Sequence, residues 1–173
     1  MRDSKKRLGN QGIQYVHMQE YLELTLITLE SLSEQAGKPI DHASYLASLI
    51  SASNQGYLFE YRKKQQLLGY FTVEKIEAQH WFVAMFVIHP KHRSKEVFAA
   101  LMTQFIQFIE DHQVATLISH ALKNNSPSLK FHKRLGFTII RENQIAFELK
   151  LEINDEIKNK WCSIFAPRID FHE

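Results

Sequence analysis

The sequence predicts a mixed α/β domain with elements in the order β-α-α-β-β-β-α-β-α-β-β. Three observations carry this. Two apolar segments, Tyr57 to Tyr61 and Leu67 to Val73, flank the polar turn RKKQQ and read as an antiparallel hairpin. A nearly continuous apolar run, His80 to Ile88, precedes an amphipathic helix and a second apolar run, Val114 to Ser119, which together make a βαβ crossover with a parallel pair. A second hairpin pattern follows near the end.

In order, Ile13 to His17 (IQYVH) alternates apolar and polar residues and is expected as a short first strand. From Gln19 to Gln35 the length of a leucine-rich segment favours a helix, although LTLITL alone also fits a strand; Gly37 and Pro39 end it. Asp41 is placed to cap a second helix, whose Tyr45, Leu46, Leu49 and Ile50 recur at helical spacing. Asn54, Gln55 and Gly56 close it. The run His80 to Ile88 suits a central strand covered on both faces. A third helix is predicted from Lys95 to His112, with Val97, Phe98, Leu101, Met102, Phe105, Ile106 and Ile109 on its apolar face. Ser126 is expected to cap a short helix that carries Pro127 in its first turn and stops at Gly136. Phe137 to Ile140 and Ile145 to Leu151 pair about the turn RENQ.

A chain of 173 residues is long enough for one well-buried domain. Its net charge of +2 carries no sign of a nucleic-acid partner, and no apolar run approaches the roughly 20 residues of a membrane span. One cysteine, Cys162, excludes an intramolecular disulfide and fits a reducing compartment, so a cytoplasmic setting is expected. Residues 1–12 start positively but have no apolar core after the charges, and read as a flexible basic arm rather than a secretory signal. The domain is expected over 13–152. The extension 153–173 carries Trp161, Ile164, Phe165 and Phe171, which are expected to pack on the domain or on a partner subunit. His89 and His92 share a turn, but no acidic or cysteine partner follows at ligand spacing, so no metal site is expected.

The segment with chemistry in it is WFVAMFVIHPKHRSKEVFAAL, Trp81 to Leu101. It starts as a strand, breaks at Pro90, turns through basic residues and enters a helix at Ser94. A strand that delivers a basic turn onto a helix N-terminus is suited to holding phosphates.

Two motifs add a resemblance. Ile88-His89-Pro90-Lys91-His92-Arg93-Ser94-Lys95-Glu96 resembles V-x-P-x-y-R-g-k-G, which ends the fourth strand in the GCN5-related N-acetyltransferase (GNAT) superfamily. The run NSPSLKFHKRLGF, Asn125 to Phe137, is similar to that family's N-x-x-A-x-x-F-Y-x-k-x-G-F. The resemblance covers roughly Leu67 to Leu151. It implies a GNAT-like mixed, mostly antiparallel central sheet of about seven strands with helices on both faces, splayed between strands four and five. The pantetheine arm of acetyl-CoA would lie in that gap. The same resemblance implies that backbone groups at Phe86 and Ile88 bind the thioester and the arm. The turn Arg93, Ser94, Lys95, Glu96, Val97 and Phe98 would then aim its amides at the pyrophosphate, and Asn125 and Ser128 would support the pantetheine end. The implied reaction is direct attack of a primary amine, on a small molecule or peptide, on the thioester. Such an enzyme must position the amine, remove its proton and protonate the departing thiolate.

His132 falls where the family has its thiolate-protonating tyrosine and is the candidate general acid, with Tyr70 and Ser128 as substitutes. His120, Glu74 and Glu60 are candidate bases. A homodimer is expected from the resemblance and the apolar tail. The family turn R/Q-x-x-G-x-G/A is degenerate here, because Glu96 and Phe98 stand at its two small positions. A Cβ there obstructs close approach of the phosphates, and Glu96 adds a like charge; alternatively, Glu96 only stabilises the helix dipole. Two other readings therefore stay open, a catalytically silent module that binds a ligand or protein, and an acyltransferase with a different acyl donor such as one on a carrier protein.

Overall fold

The computed structural model describes residues 3–165, with side chains from His17 to Phe165. Two helices come first, α1 (Asp3–Gln35) and α2 (His42–Gln55), followed by strands β1 (Leu58–Lys63), β2 (Gln66–Glu77) and β3 (His80–Ile88). A 3-10 turn, Pro90–His92, leads into α3 (Lys95–Asp111). Then come β4 (Thr116–Leu122), α4 (Ser126–Leu135), β5 (Thr138–Glu142), β6 (Ala146–Glu152) and α5 (Asp155–Phe165). The six strands lie in the order β1-β2-β3-β4-β6-β5, and only β3 and β4 pair in parallel.

The expected seventh strand, Ile13 to His17, is instead part of α1. Five alternating residues fit either element, and the continuation decides. Met18, Tyr21, Leu22 and Thr25 are all buried at helical spacing, so one helix face runs on without a break. Helix α1 also takes in most of residues 1–12, where an arm was expected; Met1 and Arg2 lie outside the described residues.

The helices cover both faces of the sheet. On one face α3, α4 and α5 enclose Phe71, Trp81, Leu101, Phe105, Leu117 and Trp161. On the other, α1 and α2 enclose Met18, Tyr21, Leu46, Leu49, Tyr70 and Val87. Trp161 is fully buried and its indole N–H donates to the Leu135 carbonyl at 2.9 Å, which ties α5 to the end of α4. Ile157 and Phe165 pack against the same core, and Phe171 lies outside the described residues.

Local signals set the helix ends. Asp41 accepts from the Ala43 and Ser44 amides at the start of α2, and Gly56 ends it with φ 75°. The cap of α4 is Asn125 rather than Ser126: the Asn125 side chain accepts from the Ser128 amide at 3.2 Å, leaving Ser126 and Pro127 in the first turn. Beneath α3, Gly69 on β2 has no room for a side chain. A Cβ there would meet Leu101 Cδ1 at 2.8 Å and the Val87 carbonyl at 3.0 Å.

Candidate active site

The site begins with a fault in the sheet. Strands β3 and β4 pair at four positions only, from His80 with Thr116 to Val83 with Ser119. Beyond these, β3 runs on to Ile88 and β4 to Leu122 without pairing to each other. The fault coincides with a shift on the other edge of β3, where the register with β2 jumps from Val73–Val83 to Thr72–Met85, leaving Ala84 as an extra residue. Such a bulge bends its strand and disrupts the ladder. Packing agrees: Val83 and Phe86 both belong to the α3 face, although three residues apart, while Met85 and Val87 belong to the α1 face. The gap opens into a cleft of about 940 Å³ lined from both faces of the sheet.

The β3 wall of the gap carries free backbone groups. The His89 amide donates to the Leu68 carbonyl at 2.8 Å, on the β2 side. Because strand amides alternate in direction, those of Phe86 and Ile88 face the gap. Both residues line the cleft, as do Arg93 and Phe98 at the mouth of α3. Phe98 and Phe86 lie 5.5 Å and 5.1 Å from Phe131, ring to ring, so α3, β3 and α4 meet in an aromatic wall.

The rest of the basic turn is arranged differently from expectation. Ser94 caps α3, accepting from the Val97 amide at 3.3 Å, and the Val97 side chain is buried in the core. The Lys95 side chain is exposed and outside the cleft lining. Glu96, read in the sequence either as a like charge against a pyrophosphate or as a partner of the helix dipole, turns to β1. It accepts from the Tyr61 hydroxyl at 2.7 Å and from Lys63 Nζ at 3.0 and 3.1 Å. These two partners hold its carboxyl below the usual range, Tyr61 most strongly. The first amides of α3 remain among those that a helix leaves without an intrahelical acceptor.

The vertex of the gap contains His132, from α4, against Ser119, from β4. His132 Nδ1 lies 2.7 Å from the Ser128 carbonyl oxygen. A carbonyl only accepts, so Nδ1 carries the proton, and Nε2, 2.8 Å from Ser119 Oγ, accepts from that hydroxyl. Burial lowers the affinity of the imidazole for a second proton, against a smaller opposing effect of the Ser128 carbonyl. The ring is therefore a neutral acceptor at neutral pH, and an acid only after it has first taken up a proton. Ser128 itself lines the cleft, with its hydroxyl 3.3 Å from His132 Nδ1. Tyr70 is no substitute acid: it is fully buried on the α1 face, bonded to the Thr25 hydroxyl, and desolvation pushes its pKa up. Ser119 carried no signal in the sequence, where it reads as one polar residue in an apolar strand.

On the opposite face His120 and Glu74 line the cleft, with Arg141 and Glu148 from the β5–β6 hairpin. His120 Nε2 lies 3.4 Å from Glu148, whose carboxylate also accepts from Arg141 at 2.8 and 2.9 Å. Arg141 is the main reason that this carboxyl stays below its ordinary range. Glu60, the third candidate base, is outside the cleft. It accepts from Tyr21 and from Arg62, which also holds Glu20, so its carboxylate is engaged in fastening β1 to α1. Among the described residues no group of three His, Cys, Asp or Glu is placed to hold a metal ion. No helix among them is long and apolar enough to cross a membrane.

Comparison with known proteins agrees with this geometry. Residues 13–158 match the family described as "Acetyltransferase (GNAT) domain". Comparison with curated proteins finds no match. Among solved structures, the PaiA N-acetyltransferase of Thermoplasma acidophilum, in complex with coenzyme A, is 14% identical. Its TM-score is 0.61, covering 80% of this chain and 94% of that one. An acetyltransferase from Streptococcus agalactiae is 15% identical with a TM-score of 0.65, covering 79% and 92%. YncA from Salmonella typhimurium, solved with its cofactor acetyl-CoA, is 15% identical with a TM-score of 0.56, covering 82% and 89%. A splayed parallel pair, a bulge at its vertex and a helix N-terminus at its open end thus stand within a family match that spans most of the chain, and the protein belongs to the GNAT acetyltransferase family, an acyl-CoA-dependent N-acetyltransferase with acetyl-CoA as donor.

Proposed function

We propose that the protein transfers an acetyl group from acetyl-CoA to a primary amine of a small molecule or peptide, by direct attack inside the cleft. The observation that carries this reading is the gap beyond Val83 and Ser119, opened by the bulge at Ala84 and walled by the Phe86 and Ile88 amides. Those amides would hold the acyl donor as an added strand. Arg93, with the positive end of α3, would hold its phosphates. Asn125 supports this from below by fixing the start of α4, and Ser128 from within the cleft wall.

The acceptor enters from the α1 face, where Glu74, His120 and Glu148 offer groups able to receive a proton or hold a cationic amine. The catalytic unit is residues 13–152. The extension acts as a brace through Trp161, and a second copy of the chain is the partner that we assign to the assembly. A coenzyme-A donor and a single exposed cysteine suit a reducing, cytoplasmic setting.

Thermal melting with increasing acetyl-CoA tests donor binding, since a ligand that binds only the folded state raises the midpoint with concentration. Release of free thiol from acetyl-CoA, measured across amino acids, polyamines and short peptides, tests transfer. The expected result is a rising midpoint and thiol release that requires an amine. A flat midpoint at millimolar acetyl-CoA would sink the reading, and sedimentation reads the assembly state.

A further inference from the structure

We infer that Ser119 and His132 form one proton relay at the vertex of the gap, which takes the proton from the attacking amine and returns it to the departing thiolate. The inference rests on the N-acetyltransferase reading above. Its geometric basis is threefold. Ser119 is the last β4 residue paired with β3, so its hydroxyl stands where the two strands part. It borders the cleft although only 3% exposed. Its hydroxyl donates to His132 Nε2 at 2.8 Å, while the far side of the ring is fixed by Nδ1–H on the Ser128 carbonyl at 2.7 Å.

That carbonyl orients the ring and selects the tautomer whose Nε2 is free to accept a proton. From β4 the ring meets the Ser119 hydroxyl; from its own helix, the Ser128 hydroxyl and carbonyl. The Phe137 and Phe131 rings lie 5.1 and 6.4 Å away. None of these groups is charged. Lys133 and Arg134 follow on α4 and are exposed. Burial keeps the imidazole neutral between turnovers, which a base requires and a resting acid does not.

The step balances within the site. The amine lone pair forms the N–C bond to the thioester carbon, and the nitrogen proton passes to Ser119 Oγ as the serine proton passes to His132 Nε2. The C–S bond then breaks. The imidazolium returns its proton through Ser119 to sulfur, leaving an amide, a thiol and the relay in its starting state. No external acid, base or oxidant is consumed.

The test begins with the wild-type chain and free coenzyme A, whose thiol stands for the leaving group. Nitrogen-detected NMR of His132 should show the Nε2 resonance shift when coenzyme A binds, because the thiol comes within hydrogen-bond reach of the Ser119 hydroxyl. Ser119→Ala should abolish that change. With acetyl-CoA and the panel amine turned over fastest, Ser119→Ala and His132→Gln should each lower kcat by about 100-fold or more. Their double variant should lose no more than either one, as expected of residues acting as a unit. Ser119→Thr, which keeps the hydroxyl, should recover most of the rate. An unshifted His132 Nε2 resonance, full turnover by Ser119→Ala, or multiplied losses in the double variant would overturn the relay. So would an acetyl group trapped on Ser119 without amine, because it would make the serine a nucleophile. No melting response to coenzyme A would instead overturn the acetyltransferase reading and the relay with it.

Discussion

Val83 and Ser119 are the last residues across which β3 and β4 pair, and the bulge residue Ala84 follows Val83 immediately. The opening of the sheet thus starts at a single extra residue. Deleting Ala84 should restore a regular ladder with β2 and leave every other β3 side chain on its present face, since alternation across Val83, Met85 and Phe86 is then unbroken. The expected product melts cooperatively but no longer gains stability from acetyl-CoA. A retained ligand response would show that the gap is held open by something other than the bulge.

Glu96 and Lys63 face one another across α3 and β1, both more than half exposed. Glu96→Gln should change the affinity for acetyl-CoA by less than about threefold, because the carboxylate points away from the gap and an exposed pair is worth little. Calorimetric titration measures this directly. Tightening by tenfold or more would place the carboxylate against the donor phosphates after all.

Phe98 occupies a position where the family turn is small, and its ring borders the cleft against Phe131. Phe98→Ala should tighten acetyl-CoA severalfold by clearing the approach to the amides of α3. It should also lower the melting temperature through the lost ring contact. Weaker binding would assign the ring to the donor site as a contact.

His132 binds its proton less readily folded than unfolded, because it is buried. Below about pH 6.5 the unfolded chain takes up that proton first, so stability falls as pH drops through this value until the folded ring itself titrates. His89 contributes in the same direction, through partial burial and then its neighbours His92 and Lys91. The lowered carboxyls of Glu20, Glu148 and Glu152 act in a separate, more acidic window. Denaturant unfolding as a function of pH should show a slope near pH 6 that becomes shallower in His132→Gln. An unchanged slope would mean that the ring is not desolvated.

Trp161 is fully buried and bonded to the end of α4. Trp161→Ala should cost about 3–5 kcal/mol in urea unfolding, as large core truncations do. It should also lower kcat, because the helix that carries His132 loses its brace. A loss below about 1 kcal/mol would mean that α5 is not part of the cooperative core.

Much of the fold was legible because its determinants are local. Asp41 and Gly56 bracket α2, and the apolar run from His80 to Ile88 matches β3 at both ends. The first strand was misread because IQYVH, taken alone, has the period of a strand, while the helix that absorbs it is defined by burial further along, at Met18, Tyr21 and Leu22. The cap of α4 was off by one because Asn125 and Ser126 are both capable caps and only the bond to Ser128 distinguishes them.

At the site, Phe86, Ile88, Arg93, Phe98, Asn125, Ser128, His132, His120 and Glu74 all border one cleft, and in the sequence only the family resemblance draws them together. Three features had no local signature. The bulge at Ala84 is defined by the partner strand, Glu96 takes its direction from residues on β1, and Ser119 gains meaning only when α4 folds back over β4.

Gly69 never touches the gap, yet it governs one end of it. The tip of Leu101 on α3 rests where a side chain at this position would stand, beside the Val87 carbonyl, so the missing Cβ lets the helix pack closely on the sheet. A methyl group there would act as a shim under the middle of α3 and lift its N-terminal turn with it. Where the helix yields in place of the leucine tip, the tilt would be read at Arg93 and Phe98. The anion-facing end of the site is thus levelled from beneath by an atom that is absent.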